Sequence, residues 1–112
     1  MIERDAAIRD ALLCASEESF LWELSQRLQA RFPEATVSEC DATARESASA
    51  LLTRGWAQLA STKWAALSSG TVLSLAEALE ALREPCNWCI PPSNQDTCFQ
   101  LLLTEPGRQQ PF

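Results

Sequence analysis

The spacing of apolar residues first changes at Gly55, and that change is the strongest constraint on the fold of this chain. Before Gly55, apolar side chains recur every three or four residues, which is the period of an α-helix. After it come two short runs that each carry a Trp, WAQLA and KWAAL, joined by Ser61 and Thr62. These runs predict a β-hairpin, so we expect helices first and a small sheet later.

Three helices are predicted before the change. The first covers residues 3–15, and the second covers about residues 20–31, with Ser16 or Ser19 as its N-cap. The third has Ser38 as its predicted N-cap, Asp41 as the capping-box partner and Gly55 just past its end. Its inner face is mostly small and consists of Cys40, Ala44, Ala48, Leu51 and Leu52.

A loop at residues 68–70 and a fourth helix are predicted after the hairpin. Ser74 and Glu77 form a capping box for that helix, and Pro85 ends it. Its apolar stripe is predicted to be Leu75, Leu79 and Leu82. A last strand then follows, with Phe99, Leu101 and Leu103 on one face.

Charge limits the classes of partner. The 15 acidic residues outnumber the nine basic ones, which gives a net charge of −6, and no segment forms a basic patch. Nucleic acid is therefore an unfavourable partner, and anionic membrane surfaces are disfavoured in the same way. No apolar run has the length of a membrane span, and the first residues are charged rather than apolar. We expect a cytoplasmic protein.

Three of the five cysteines, Cys86, Cys89 and Cys98, raise the question of a metal or redox site. Zinc needs four ligands, and the fourth would have to be Cys14 or Cys40, both on apolar helix faces. A redox CxxC opens a helix after a strand, whereas this one follows a helix. We therefore predict packing, with Trp88 and Ile90 supplying the apolar contact and no metal or cofactor bound.

The residues for acid–base or nucleophilic catalysis are also missing. The chain has no His, and its three Gly do not form a phosphate-binding loop. Acidic pairs such as Glu17 and Glu18, or Glu77 and Glu80, are better explained as helix-capping or solvated groups. We predict that the protein is not an enzyme, and no small-molecule substrate is identifiable.

The phrases ALLTRGWAQLA, around Gly55, and LLLTEPGR, at residues 101–108, resemble a winged helix-turn-helix domain. The first resembles the end of the third helix and the first wing strand of that fold. The second resembles the last wing strand of MarR- and PadR-like regulators. The resemblance covers about residues 5–60 and 98–108, and it departs by a helical insertion between the wing strands. It implies a mostly helical α+β fold, namely a three-helix winged-helix-like domain with a small antiparallel sheet and an extra helix between the wing strands. The competing fold is a plain α+β domain with a small antiparallel sheet. The chain length predicts one domain, at residues 1–108, and the polar residues at its end predict a flexible tail at 109–112.

The resemblance also implies DNA binding through the third helix, whose first residues would touch base edges. Here those residues include Glu39 and Asp41, and Arg45 is the only cation before Arg54. Two hypotheses follow. The first is a non-enzymatic interaction or regulatory module, such as an adaptor or immunity-type subunit, with a protein partner or a second copy. The second is a DNA-binding transcriptional regulator. The candidate binding residues are Trp22, Glu39, Asp41 and Arg45, with Trp22 chosen because it lies off the leucine stripe of its helix.

Overall fold

A computed structural model of the protein describes residues 2–63, 66–91 and 97–111. The described residues form a mostly helical α+β fold with one antiparallel sheet, as predicted. The elements in chain order are α1 (Arg4–Ser16), α2 (Leu21–Arg31), α3 (Val37–Thr53), β1 (Ala57–Lys63), β2 (Ala66–Val72), α4 (Leu75–Arg83), a 3-10 helix (Pro85–Trp88), β3 (Thr97–Leu103) and α5 (Glu105–Arg108).

The first three helices bury the apolar faces that their sequence period predicts. Leu21, Leu24 and Leu28 of α2 are completely buried. The small inner face of α3 is buried as well, and small side chains let α3 lie close to α1 and α2. The prediction of these three helices and their inner faces is confirmed.

The sheet has the strand order β2-β1-β3, and both pairings are antiparallel. β1 and β3 pair along their full lengths, from Ala57 opposite Leu103 to Lys63 opposite Thr97. β3 also contacts the segment between α1 and α2, because Phe20 forms an isolated bridge with Gln100 and the Leu101 N–H donates to the Ser19 carbonyl at 2.9 Å. These bonds attach the sheet to the helices.

Two predictions about the hairpin are wrong. Ser61 and Thr62 lie inside β1 and not in a turn, because this segment continues to pair with β3 and the Cys98 thiol donates to the Thr62 carbonyl. Residues 68–70 belong to β2 and not to a loop. The predicted second run, KWAAL, is residues 63–67: Lys63 ends β1, Ala66 begins β2, and residues 64 and 65 lie outside the described part of the chain.

The start of α2 differs from its prediction. Neither Ser16 nor Ser19 caps the helix, and Phe20 is the N-cap residue. The carboxylate of Glu23, the third residue of the helix, accepts a hydrogen bond from the Phe20 N–H at 2.9 Å. This bond satisfies a backbone N–H that has no partner within the helix. Ser16 instead donates its hydroxyl to the Leu13 carbonyl at the end of α1.

The capping box of α4 is confirmed, since Ser74 accepts from the Glu77 N–H and Glu77 accepts from the Ser74 N–H. Its predicted stripe is only partly right. Leu82 is buried, but Leu75 is 50% exposed and Ala78 is buried in its place. The helix therefore packs through a face turned slightly away from the predicted one.

Trp88 is buried, as predicted, and its indole N–H donates to the Leu82 carbonyl at 2.9 Å. This bond ties the 3-10 helix to the end of α4. The predicted contribution of Ile90 is wrong, because its side chain is 55% exposed. Trp88 anchors this segment with its polar indole nitrogen satisfied by a backbone oxygen, and the Asn87 side-chain amide adds a bond to the Ala81 carbonyl at 2.8 Å.

The motif LLLTEPGR ends β3 and begins α5. Thr104 accepts a hydrogen bond from the Gly107 N–H at 3.2 Å, and its hydroxyl donates to the Gly55 carbonyl at 2.6 Å. The Thr104 N–H donates to the Trp56 carbonyl at 3.0 Å. These bonds, which we call the Thr104 latch, hold the end of β3 onto the turn between α3 and β1. Gly55 in that turn has a φ of +74°, as expected for a residue just past a helix end.

Candidate functional site

Three of the four predicted binding residues, Glu39, Asp41 and Arg45, lie in the first half of α3. Its N-cap is Thr36 and not the predicted Ser38. Thr36 accepts from the Glu39 N–H at 3.1 Å, and the Glu39 carboxylate lies 3.4 Å from the Thr36 N–H. The Glu39 side chain is longer than that of Asp41 and reaches the backbone N–H of the N-cap residue. This explains why the capping box forms between Thr36 and Glu39 and not between Ser38 and Asp41.

Asp41 is half-buried and faces α2 rather than solvent. Its carboxylate accepts a hydrogen bond from the Ser25 hydroxyl. Ser25 is itself buried and accepts from the Gln29 amide at 3.3 Å. Asp41 therefore connects α3 to α2 and is not displayed to a partner.

Arg45 is half-buried at the junction of α3 and α4. It borders a shallow cavity of about 400 Å³ together with Leu79, Leu82 and Arg83. Its Nε atom is buried and has no hydrogen-bond partner among the described residues. Arg45 borders the contact between the two helices and makes no ion pair with a described residue.

Trp22 is half-buried on α2 and stacks on Phe20. The two rings are 5.9 Å apart between centroids and nearly parallel, at 8°. Phe20 in turn bridges β3 through Gln100. The four predicted residues thus have different neighbours, and the structure does not bring them together as one binding site.

Four exposed residues remain on the outer side of α3: Ser38, Glu39, Ala42 and Glu46, which we call the α3 face. It carries two carboxylates and no basic residue. Val37, at the first position of the helix, is 60% exposed beside it. The α3 face is acidic, with an exposed apolar residue at its edge.

The cysteines fall into two groups. Cys86 and Cys89 are exposed, whereas Cys14, Cys40 and Cys98 are buried. Burial raises the pKa of each buried thiol above its usual value, and for Cys14 this outweighs a hydrogen bond from Arg27 that lowers it. Within the described ranges, no three cysteine or acidic side chains come together in a group that could hold a metal ion.

A buried carboxylate joins α1 to α2. Asp10 is 3% exposed and lies 3.6 Å from Arg31 and 3.9 Å from Arg27. Arg27 also contacts Glu17 at 3.0 Å. The buried Asp10 carboxylate and the two guanidiniums form a structural ion cluster, because a buried charge is stable only when oppositely charged groups accompany it.

Sequence reasoning missed one group of side chains. Arg4, Arg9 and Arg54 border the same cavity, beside Trp56. Arg4 and Arg9 belong to α1, whereas Arg54 directly follows α3, so no local motif indicates that all three meet. The only signal is Arg4, a cation at the first position of a helix, where acidic residues are favoured.

A scan against protein-family models and searches of curated proteins and of solved structures found no match for this chain. The function is therefore inferred from the geometry of the molecule. None of the helices in the described ranges combines the length and apolar character needed to cross a bilayer.

Proposed function

We propose that this protein is a non-enzymatic interaction or regulatory module that binds a protein partner or a second copy of itself through the start of α3. The observation that carries this proposal is the α3 face, whose own exposed charges are the carboxylates of Glu39 and Glu46. Arginines border this face at Glu46, which lines one cavity with Arg45 and Arg83 and another with Arg4 and Arg54. A polyanion would be repelled there, whereas a protein surface with basic and apolar groups would be complementary.

The winged-helix relationship is part of the proposal. Three helices precede β1, and β1 pairs over seven residues with β3, which ends in the LLLTEPGR motif. In the chain, β2, α4 and the 3-10 helix follow β1 and precede β3, which is the position of the predicted insertion. This order supports a winged-helix-like scaffold with an enlarged wing, and the scaffold alone does not determine what is bound.

The alternative is a DNA-binding regulator of the winged-helix type. It would need cations beside the α3 face to neutralise phosphates, since phosphate contacts position such a protein on DNA. Arg45 is half-buried at the contact between α3 and α4, and Lys63 donates to the Thr97 hydroxyl at 3.3 Å on the sheet. The charges therefore favour the protein-binding hypothesis.

The proposal includes the absence of catalysis and a cytoplasmic location. The acidic residues considered for acid–base work have structural partners, because Glu77 caps α4 and Glu17 pairs with Arg27. The chain has no His to act as a general base. The exposed thiols Cys86 and Cys89 suit a reducing compartment.

The deciding experiment has two arms. In the first, the purified protein is titrated onto random duplex DNA at low salt, where phosphate contacts are strongest; we expect no retardation. Retardation that weakens steeply as salt is added would refute the proposal in favour of the DNA-binding alternative.

In the second arm, a photo-crosslinking residue replaces Ala42 on the α3 face, and a matched variant carries it at exposed Ser16, on α1. We expect the Ala42 position to give one discrete protein adduct or a covalent dimer, and the Ser16 position to give neither. Equal labelling from both positions would contradict a partner site on the α3 face.

A further inference from the structure

A cavity of about 290 Å³ lies where the beginning of α1 meets the end of α3 and the start of β1. Three guanidinium groups border it, those of Arg4, Arg9 and Arg54. Asp5 is an acidic residue on the same border. We call this cavity the arginine cleft.

The arginines of the cleft lack ion pairs. In the part of the chain that the structure describes, the ion pairs involve Arg27, Arg31, Arg83 and Arg108, and none involves a cleft arginine. The protein has 15 acidic residues and only nine basic ones. The three arginines are exposed, and the nearby carboxylates are Asp5 on the same border and Glu46, which lines a neighbouring cavity with Arg4 and Arg54. Positive charge is therefore in excess in the cleft, and a bound anion would neutralise it.

The position of Arg4 adds to the electrostatic cost of an arginine cleft that holds no anion. Arg4 is the first residue of α1, a helix of 13 residues, and Glu3 at the N-cap makes no side-chain capping bond. The N-terminal end of a helix carries a partial positive charge, so a cation there is destabilising and an anion is stabilising. The helix end and the guanidiniums therefore favour the same charge in a ligand.

The cleft also has apolar walls. Ile8 and Leu12 of α1 border it and are buried, and Trp56 is half-buried beside them. The Arg54 guanidinium lies over the Trp56 ring, 4.9 Å from its centroid, which orients that cation. A ligand that fits needs an apolar part next to its negative charge.

We infer that the arginine cleft is a binding site for a small carboxylate with an apolar body. Carboxylate oxygens match the donor geometry of a guanidinium, and the apolar body would contact Trp56 and Ile8. The volume is at the lower end of the range for small-molecule sites, so the ligand is a compact one. A bare inorganic anion would leave the apolar walls uncovered. This inference is independent of the partner proposed for the α3 face.

The test is a titration followed by two-dimensional NMR, with the Trp56 indole signal assigned through Trp56→Phe. The probes are phenylacetate, which has an aromatic body, hexanoate, which has an aliphatic one, and acetate, which lacks an apolar body. We expect saturable shifts of the Trp56 signal with the first two, with a Kd of about 1 mM for so small a ligand, and at least about tenfold weaker binding of acetate.

Two variants locate the site. Arg9→Gln and Arg54→Gln should each weaken phenylacetate binding about tenfold, because each removes a charge-assisted hydrogen bond. Arg83→Gln removes one positive charge from the exposed end of α4, outside the cleft, and should leave binding unchanged. Arg9 makes no ion pair with a described residue, so Arg9→Gln should fold normally, and a wild-type spectrum outside the cleft verifies this.

Three results would overturn the inference. The first is the absence of saturable shifts with phenylacetate and hexanoate at millimolar concentration. The second is acetate or inorganic phosphate binding as tightly as the apolar carboxylates, which would indicate general anion attraction. The third is equal weakening by Arg83→Gln and Arg9→Gln, which would show that net charge and not the cleft determines binding.

Discussion

Gly107 lies at the most tightly packed point of the Thr104 latch, and Gly107→Ala should destabilise the protein strongly. A Cβ atom at this position would fall well inside the contact distance of the Trp56 carbonyl oxygen. It would also be 2.9 Å from the Trp56 carbonyl carbon and 2.8 Å from Leu103 Cδ1. Two of these three atoms are backbone, so no rotamer change can make room and the chain itself has to move.

The size of the effect follows from the bonds that this movement would break. Separating α5 from the turn stretches the Thr104 hydroxyl bond to Gly55 and the Thr104 N–H bond to Trp56, each contributing about 0.5–1.5 kcal/mol. Overpacking adds about 1–3 kcal/mol, and the better helix propensity of Ala returns about 1 kcal/mol. The net loss is about 1–5 kcal/mol, a large part of the roughly 5–15 kcal/mol that stabilises a small domain.

Urea unfolding followed by Trp fluorescence measures this loss, and thermal unfolding should show a midpoint lower by roughly 10 °C. Gly70→Ala is the matched control, because a Cβ there meets its nearest atoms at 3.5 Å or more. It should change stability by no more than about 0.5 kcal/mol. If Gly107→Ala unfolds at the same urea concentration as wild type and Gly70→Ala, the latch does not stabilise the end of β3.

Three further predictions concern the caps and the thiols. Thr36→Ala should lower the free energy of unfolding by about 1 kcal/mol and Ser38→Ala by less than about 0.5 kcal/mol in urea titrations, and the reverse order would return the N-cap to Ser38. A thiol-reactive dye should label two cysteines rapidly in the native protein and the other three only after unfolding, and a Cys86→Ser, Cys89→Ser double variant that still reacts rapidly would contradict this assignment. The hydrogen bond from the Ser74 N–H lowers the pKa of Glu77, so this carboxylate adds stability above its unfolded-state pKa and loses it as the pH falls through the lower folded value. The stability difference between wild type and Glu77→Gln should therefore shrink as the pH falls from 7 into the acid range (roughly pH 3), and a constant difference would exclude the ionised cap.

The helices were predictable because the residues that determine each of them are close together in the sequence. Leu21, Leu24 and Leu28 are spaced by one helical turn, and burial on one face is the direct consequence of that spacing. The strands were less predictable, because their limits depend on distant partners. Ser61 and Thr62 have the composition of a turn, yet pairing with Phe99 and Cys98 keeps them in β1.

The same distinction between local and distant determinants applies to the predicted site residues. The sequence placed Glu39 and Asp41 on α3 correctly, but it could not show that Asp41 would be taken up by Ser25 of α2. The convergence of Arg4 and Arg54 was equally invisible, since it depends on how the first and third helices pack. Side-chain identity is local information, whereas the availability of a side chain to a ligand is determined by tertiary contacts.

The geometry of α3 separates the arginine cleft from one end of the α3 face. Glu39 lies near its beginning and Arg54 just past its end, 15 residues on, so the two side chains start about 22 Å apart along the helix. Charges at that distance are largely screened at physiological salt, where the Debye length is about 8 Å. An anion in the arginine cleft would therefore have little direct electrostatic effect on a partner at Glu39. Glu46, at the other end of the α3 face, lines a cavity together with Arg4 and Arg54, so an anion in the cleft would act electrostatically on that end of the face.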